Sequence, residues 1–304
     1  MIGTSVALLV LGVLLAEPVS RALAAARWPA RDPTGALLLW QAVGLAGGLA
    51  MLGAGLTFGL APLGDSLPAA VARALALDRW PSELGLVHML ALVATAALAV
   101  RLFGVLGLAC WRTLRARRRH RDLLDVLATP WPAMAGARVL DHPMPVAYCL
   151  PGPRSRLVIS EGALATLAPD ELAAVLAHER THLRERHDLV VLPFVAWGAT
   201  APWVPGMARA QAAVATLVEM RADDVARAAS GKAALAGALH RIGGGAAPQA
   251  GSDTATLASF SAAVSGRLHR LDAHPGRPPR PLLALPRLAA LALIAVPTAV
   301  LLLP

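Results

Sequence analysis

Four long apolar stretches set the pattern of this chain, the first three separated by short charged segments and the last standing apart near the C-terminal end: Ile2–Ser20, Gly35–Leu63, Leu84–Cys110 and Pro286–Leu303. Each is near or above the roughly 20 residues that a helix needs to cross a bilayer, so each predicts a membrane span. A fifth run, Leu189–Pro205, is shorter and interrupted by Pro193, Pro202 and Pro205. It sits at the lower edge of spanning length, roughly 17 residues, and interior prolines break helices. The pattern predicts an element that dips into the membrane and returns, lies at its interface, or packs inside a domain.

Between the third and fourth spans the periodicity changes. Arg138–Leu140, Val146–Leu150 and Arg156–Ser160 read as short strands, with turns at Asp141–Pro145 and at Pro151-Gly152-Pro153. A small antiparallel sheet is the expected result, with an edge open to an extended peptide. Tyr148 is expected in its core. A helix then opens at Ala168-Pro169-Asp170-Glu171, with proline at its first position and two carboxylates in its first turn. Ala168 stands where Ser or Thr would normally cap, so this start is expected to be weakly capped. An alanine-rich stretch from Ala208 to Ala229 predicts a second long helix. Gly243–Gly251 reads as a linker and Leu257–Leu271 as a last helix. The chain divides into a membrane domain of three spans (1–111), an α+β domain (112–283) and a fourth span (284–304).

Composition supports the membrane assignment. Of 304 residues, 56% are hydrophobic and only 15% charged, too apolar for an ordinary soluble enzyme. Met1-Ile-Gly-Thr carries no positive side chain, so the first run reads as a retained span rather than a secretory signal. Arg112–Arg121 is strongly basic and follows the third span, which predicts a cytoplasmic location. The loop carrying Arg21, Arg27 and Arg31 then lies inside and Asp65–Glu83 outside, with the N-terminus outside. Arg267, Arg270, Arg277, Arg280 and Arg287 precede or open the last span, in agreement. The net charge of +9 clusters beside spans with no nucleic-acid motif, so anionic lipid is the expected partner and direct nucleic-acid binding is not expected. His88 is expected to pack between helices, and Arg101 to snorkel toward the headgroups. Cys110 and Cys149 show no metal-site spacing and are expected as free thiols.

Candidate chemistry lies on the helix after the sheet. His178-Glu179-Arg180-Thr181-His182 places two imidazoles four residues apart, on one helical face, where both can reach one Zn2+. Glu179 is placed to take a proton from water at the metal's open side. Leu172, Val175, Leu176, Thr181 and Leu183 surround the motif, as a buried helix requires. The alternative is a solvated helix that happens to carry two histidines. A catalytic zinc needs a third protein ligand. Glu219 and Asp223 are i and i+4 on the alanine-rich helix, a like-charged pair better explained by a nearby cation. Glu219 is the candidate third ligand, and Asp223 the acceptor for the far nitrogen of a bound histidine, His178. Glu185 and Asp188 stand where the longer pattern HExxHxxGxxH has glycine and its third histidine. His187-Asp188 is therefore expected to end the helix. His240 is unassigned.

On these residues and the span layout the chain resembles the BlaR/MecR-type membrane metallopeptidases. Over a shorter stretch it is also similar to the HtpX-like and CAAX-prenyl-protease class. The resemblance covers roughly Arg138–Ala229. It implies a minigluzincin-like cytoplasmic zinc-peptidase domain in the bacterial plasma membrane. His178, His182 and Glu219 would be ligands and Glu179 the catalytic base. It also implies proteolytic signalling against a protein substrate such as a winged-helix repressor. Antibiotic-sensing members continue beyond the last span into an external domain; this sequence ends at Pro304, so antibiotic sensing is not expected. A housekeeping protease of damaged membrane proteins and a non-catalytic receptor or scaffold are the competing readings.

Overall fold

The computed structural model describes residues 1–76, 84–152, 155–245, 254–273 and 279–302. In chain order its helices and strands are α1 (Ile2–Leu14), α2 (Ser20–Ala25), α3 (Pro33–Gly59), α4 (Leu67–Leu75), α5 (Leu86–Leu127), β1 (Ala128–Pro130), β2 (Ala137–Leu140), β3 (Ala147–Leu150), β4 (Arg156–Ser160), α6 (Glu161–Thr166), α7 (Pro169–Arg184), α8 (His187–Thr200), α9 (Pro205–Ser230), α10 (Lys232–Gly245), α11 (Thr254–Ala273) and α12 (Arg280–Leu302). Two compact units result. One contains Met1–Ala109, Val191–Val214 and Pro278–Pro304; the other contains Cys110–Val190 and Ala215–Arg277.

The first unit holds the apolar helices, α5 only as far as Ala109. Ile2–Ala25, Pro33–Gly59, Leu86–Leu127 and Pro281–Leu302 are each long and apolar enough to cross a membrane, in agreement with the four runs read from sequence. Pro18 lies in a π-helical turn, Leu15–Val19, that joins α1 to α2. Asp32 caps α3 by accepting from the Gly35 N–H, and Arg287 of α12 pairs with the same carboxylate at 2.9 Å. His88 stacks on Phe58, the packing role expected of it. Of the expected outer loop, Leu67–Leu75 is helical, while Asp78, Arg79 and Glu83 lie outside the described residues.

Residues 189–200 of the proline-interrupted fifth run are helical, and residues 201–204 turn the chain into α9. From Val191 on, the run belongs to this first unit together with the start of α9 as far as Val214, not to the unit carrying the sheet. Trp197 of α8 lies so close to α3 that a Cβ on Gly48 would stand 2.9 Å from the indole. Gly206 abuts the Ala16 carbonyl, where a Cβ would come within 1.9 Å. Arg101, expected to snorkel toward headgroups, is exposed and also has partners within the unit. Its Nε–H donates to the Thr200 carbonyl at 2.8 Å, and its guanidinium sits over Trp203. It thereby satisfies a carbonyl at the end of α8, where the helix itself supplies no donor.

The second unit is built on a four-stranded sheet of order β1-β2-β4-β3. The sheet is mixed, which corrects the antiparallel expectation: β1 pairs antiparallel with β2, β2 parallel with β4, and β3 antiparallel with β4. The chain leaves β2 through His142–Pro145 and lands one position out, so that β4 fills the gap. Ser160 fixes this crossover by accepting from the Val146 N–H at 2.9 Å and donating to the Met144 carbonyl at 2.7 Å. The strand β1 was not anticipated; its three residues are too few to show a period. Arg138 and Arg156 both reach Asp125 of α5, tying the sheet to that helix.

Helix α7 lies at the centre of this unit. Val175 packs with Ile159, Ala163, Leu167 and Ala238 between sheet and helices, while Ala174 packs with Ala226, Leu235 and Leu271 on its other side. Its start is better capped than Ala168 suggests. Glu171 reaches back to accept from the Ala168 N–H at 2.9 Å and also pairs with Arg241. Alanine has no side-chain acceptor, so only this half of a capping box forms. Gly237 makes room for Glu171: a Cβ there would stand 2.2 Å from its carboxylate oxygen.

Tyr148 sits on the edge strand β3, half-buried, and its hydroxyl meets His120 Nε2 at 2.8 Å. It thus lies at the margin of the core with its polar tip on α5. Of the expected linker, Gly243–Gly245 close α10 and residues 246–251 lie outside the described set.

Candidate metal centre

The two helices predicted to carry the site meet inside the second unit. On α7, the i and i+4 spacing puts His178 and His182 on one face, with their Nε2 atoms 3.1 Å apart. Glu219 of α9 completes a triangle. Its Oε2 is 3.3 Å from His178 Nε2 and its Oε1 is 3.5 Å from His182 Nε2. These three residues form a group able to hold a metal ion. A tetrahedral ion with bonds of ~2.0–2.1 Å spaces its ligand atoms ~3.3 Å apart. The observed triangle fits that size, and two imidazoles with one carboxylate match the donor preference of zinc over magnesium or calcium.

Both histidines are gripped from behind. His178 Nδ1 lies 3.0 Å from Asp223 Oδ1, the contact expected from the sequence. Asp223 is buried and is held in turn by Arg267 of α11, whose Nε and Nη2 donate to its two oxygens at 2.8 and 2.6 Å. Arg267 also stands 3.4 Å from Glu219. Arg267 is a site residue that sequence reasoning missed, grouping it with basic residues before the last span. The available signal was energetic: a buried Asp needs a charged or multiply donating partner.

His187 was missed as well. It does not end α7; it opens α8, after Arg186 turns the chain through a left-handed conformation at φ 51. The ring returns to the site, buried, with its Nδ1 3.0 Å from His182 Nδ1. Its Nε2 lies 3.3 Å from Glu185, and Arg221 holds Glu185 with contacts of 2.6 to 3.1 Å.

The electrostatics follow from burial and these partners. Burial alone would depress His178, but hydrogen bonds to Asp223 and Glu219 outweigh it and raise its pKa to about 9. Burial pulls His182 down to about 4, helped by the neighbouring His178. Without a metal, one imidazole thus carries a proton and the other offers a lone pair. Burial works against the Asp223 carboxylate, yet Arg267 and His178 hold it down at about 2. Glu219 is likewise lowered, His178 and Arg267 overcoming its burial. Glu179 is the exception: burial raises it, and nearby Glu219 adds to the rise. A carboxylate moved upward toward neutrality is suited to accept and return a proton.

Glu179 is also hydrogen-bonded by the backbone and thiol of Cys149 on β3, so the base rests against the edge strand. Burial and this carboxylate push the Cys149 thiol up to about 12, which leaves it a neutral donor. All five residues nominated from the sequence, His178, Glu179, His182, Glu219 and Asp223, are therefore in one cluster. His240 lies exposed on α10 and has no place in it.

A family model described as Peptidase family M48 matches residues 111–277, over half of the chain. No curated protein and no solved structure matches.

Proposed function

Because the chain belongs to peptidase family M48, a family of metallopeptidases, we propose that it is a membrane-bound, zinc-dependent endopeptidase of the BlaR/MecR type. The observation that carries this reading is the ligand triangle of His178, His182 and Glu219 with a burial-raised carboxylate, Glu179, on the same helix. A zinc ion held by those three side chains would act as a Lewis acid on the scissile carbonyl and on the attacking water. Glu179 accepts the proton of that water and later delivers it to the leaving amine. Asp223 and Arg267 hold His178 with Nε2 on the Glu219 side, where it would serve as a ligand.

The strand β3 forms one edge of the sheet. An extended peptide adding to that edge would run past Glu179, which touches Cys149 of the same strand. This favours cleavage of an unfolded or loop segment within a protein. The basic run Arg112–Arg121 and the four apolar helices support a multi-pass protein of the bacterial plasma membrane with the peptidase unit in the cytoplasm. A regulatory substrate there, such as a winged-helix transcriptional repressor, is the reading we favour.

Comparison of the purified protein with Glu179→Gln tests the chemistry. The variant should keep its metal, since Glu179 is not a ligand, and lose cleavage by several orders of magnitude; full cleavage by the variant would overturn the assignment. Proteomes of cells carrying each form test the role. One or two proteins accumulating with the variant support regulation, whereas broad accumulation of membrane proteins replaces it with quality control.

A further inference from the structure

The second ligand histidine has a support system of its own, different in kind from that of the first. His178 meets a carboxylate directly, at Asp223. Among the described residues no carboxylate stands behind His182; its Nδ1 faces the Nδ1 of another imidazole, His187, at 3.0 Å. We propose that His187 is a positioning residue that fixes the tautomer and ring plane of His182, as the first member of a relay running through Glu185 to Arg221. The inference rests on the metal-centre reading above.

Hydrogen-bond polarity allows only one ordering. If His182 binds through Nε2, its Nδ1 carries a proton and must donate. His187 Nδ1 is then the acceptor, so the His187 proton is on Nε2. That proton points to Glu185 Oε2 at 3.3 Å, and an ionised carboxylate only accepts. Glu185 is in turn closed by Arg221, a pure donor. Every member has one consistent role, from the arginine charge to the ligand atom. The arrangement mirrors His178, whose carboxylate is also terminated by an arginine.

The backbone is shaped for this contact. Five residues along a continuous helix rotate a side chain by roughly 140°, away from the first. A helix extended through residue 187 would turn His187 away from His182. The left-handed turn at Arg186 breaks the helix and swings the ring back. A non-glycine residue in that region is uncommon, and such conformations cluster at functional sites. The turn at Arg186 thus brings a buried imidazole against a ligand histidine.

The test is zinc affinity of the full chain in detergent, by chelator competition, for wild type, His187→Phe and His187→Asn. Phenylalanine keeps the ring packing and removes the acceptor. Asparagine can set its side-chain oxygen where Nδ1 now stands. We expect His187→Phe to bind zinc about 10- to 100-fold more weakly, and His187→Asn to stay close to wild type. Equal affinity of wild type and a folded His187→Phe overturns the relay, as does an Asn variant no better than Phe. Should His187→Phe fail to fold, Glu185→Leu at an exposed position serves instead: weakened zinc binding supports the relay and unchanged binding sinks it. A wild type that binds no zinc would instead remove the metal-centre reading beneath it.

Discussion

Asp223 and Arg267 form a two-point contact behind His178: both Asp223 oxygens accept from the guanidinium, while Oδ1 also lies 3.0 Å from the imidazole Nδ1. Asp223 therefore holds the ligand histidine in the tautomer that frees Nε2. Replacement by alanine should weaken zinc binding about 10- to 100-fold. Asparagine, which can still accept from the imidazole but carries no charge, should fall between alanine and wild type. Chelator titration of the three forms measures this, and unchanged affinity in Asp223→Ala would show the contact to be incidental.

Arg267 has the complementary role of keeping a buried carboxylate charged. Removing one member of a buried ion pair costs about 3–5 kcal/mol because the other is left uncompensated. Arg267→Met should lower the unfolding midpoint of the peptidase unit by roughly 10 °C. Arg267→Lys preserves the charge but not the fork, and should recover only part of that loss. A thermal melt of the metal-free proteins reads both. A Met variant as stable as wild type would show that Asp223 takes up a proton instead.

Much of this site was legible because its residues obey one local rule. His178 with His182, and Glu219 with Asp223, are each i and i+4 pairs, so a helix alone puts each pair on one face. The four spans were legible by length and hydropathy for the same local reason. His187 and Arg267 were not, and for different causes. His187 depends on the left-handed backbone at Arg186, which leaves no mark in a hydrophobic pattern. Arg267 comes from α11, 44 positions beyond Asp223, with no motif to link them. The parallel pairing of β2 with β4 was hidden because neighbouring strands were assumed to pair in order, whereas β3 folds back outside β4. The capping role of Glu171 was written in the sequence three residues after Ala168, but only half of the usual signature was present.

The segment Val191–Val214 packs with the apolar helices, and Gly206 is its tightest joint. A Cβ there would stand 1.9 Å from the Ala16 carbonyl, and a backbone oxygen cannot rotate aside. Gly206→Val should cost about 1–3 kcal/mol, as overpacking does, and lower the melting midpoint of the solubilised protein. Gly104→Val in α5, where a Cβ meets nothing within 4 Å, is the matched control and should be neutral. Equal midpoints for the two variants would show that this joint is absent in solution.

The pH response of the metal-free protein follows from His178. Its folded pKa is raised from 6.5 to about 9, because its bonds to Asp223 and Glu219 exceed the opposing effect of burial. A group raised in the folded state contributes stability that is complete below its unfolded pKa and disappears as pH climbs through its folded one. The metal-free protein should therefore lose stability between pH 6.5 and about 9. His182, pushed down to about 4, is neutral in the folded state throughout; its unfolded form sheds the last of its proton over the first unit of the window, opposing His178 there and leaving its effect unopposed above about pH 7.5. Zinc must displace the His178 proton, so its apparent affinity should move the other way and rise with pH over the same range. Melts with and without saturating zinc, from pH 6.5 to 9, should show two midpoints that draw apart as pH increases. A metal-free midpoint that stays flat or rises across that window would mean that His178 does not hold its proton against Asp223 and Glu219.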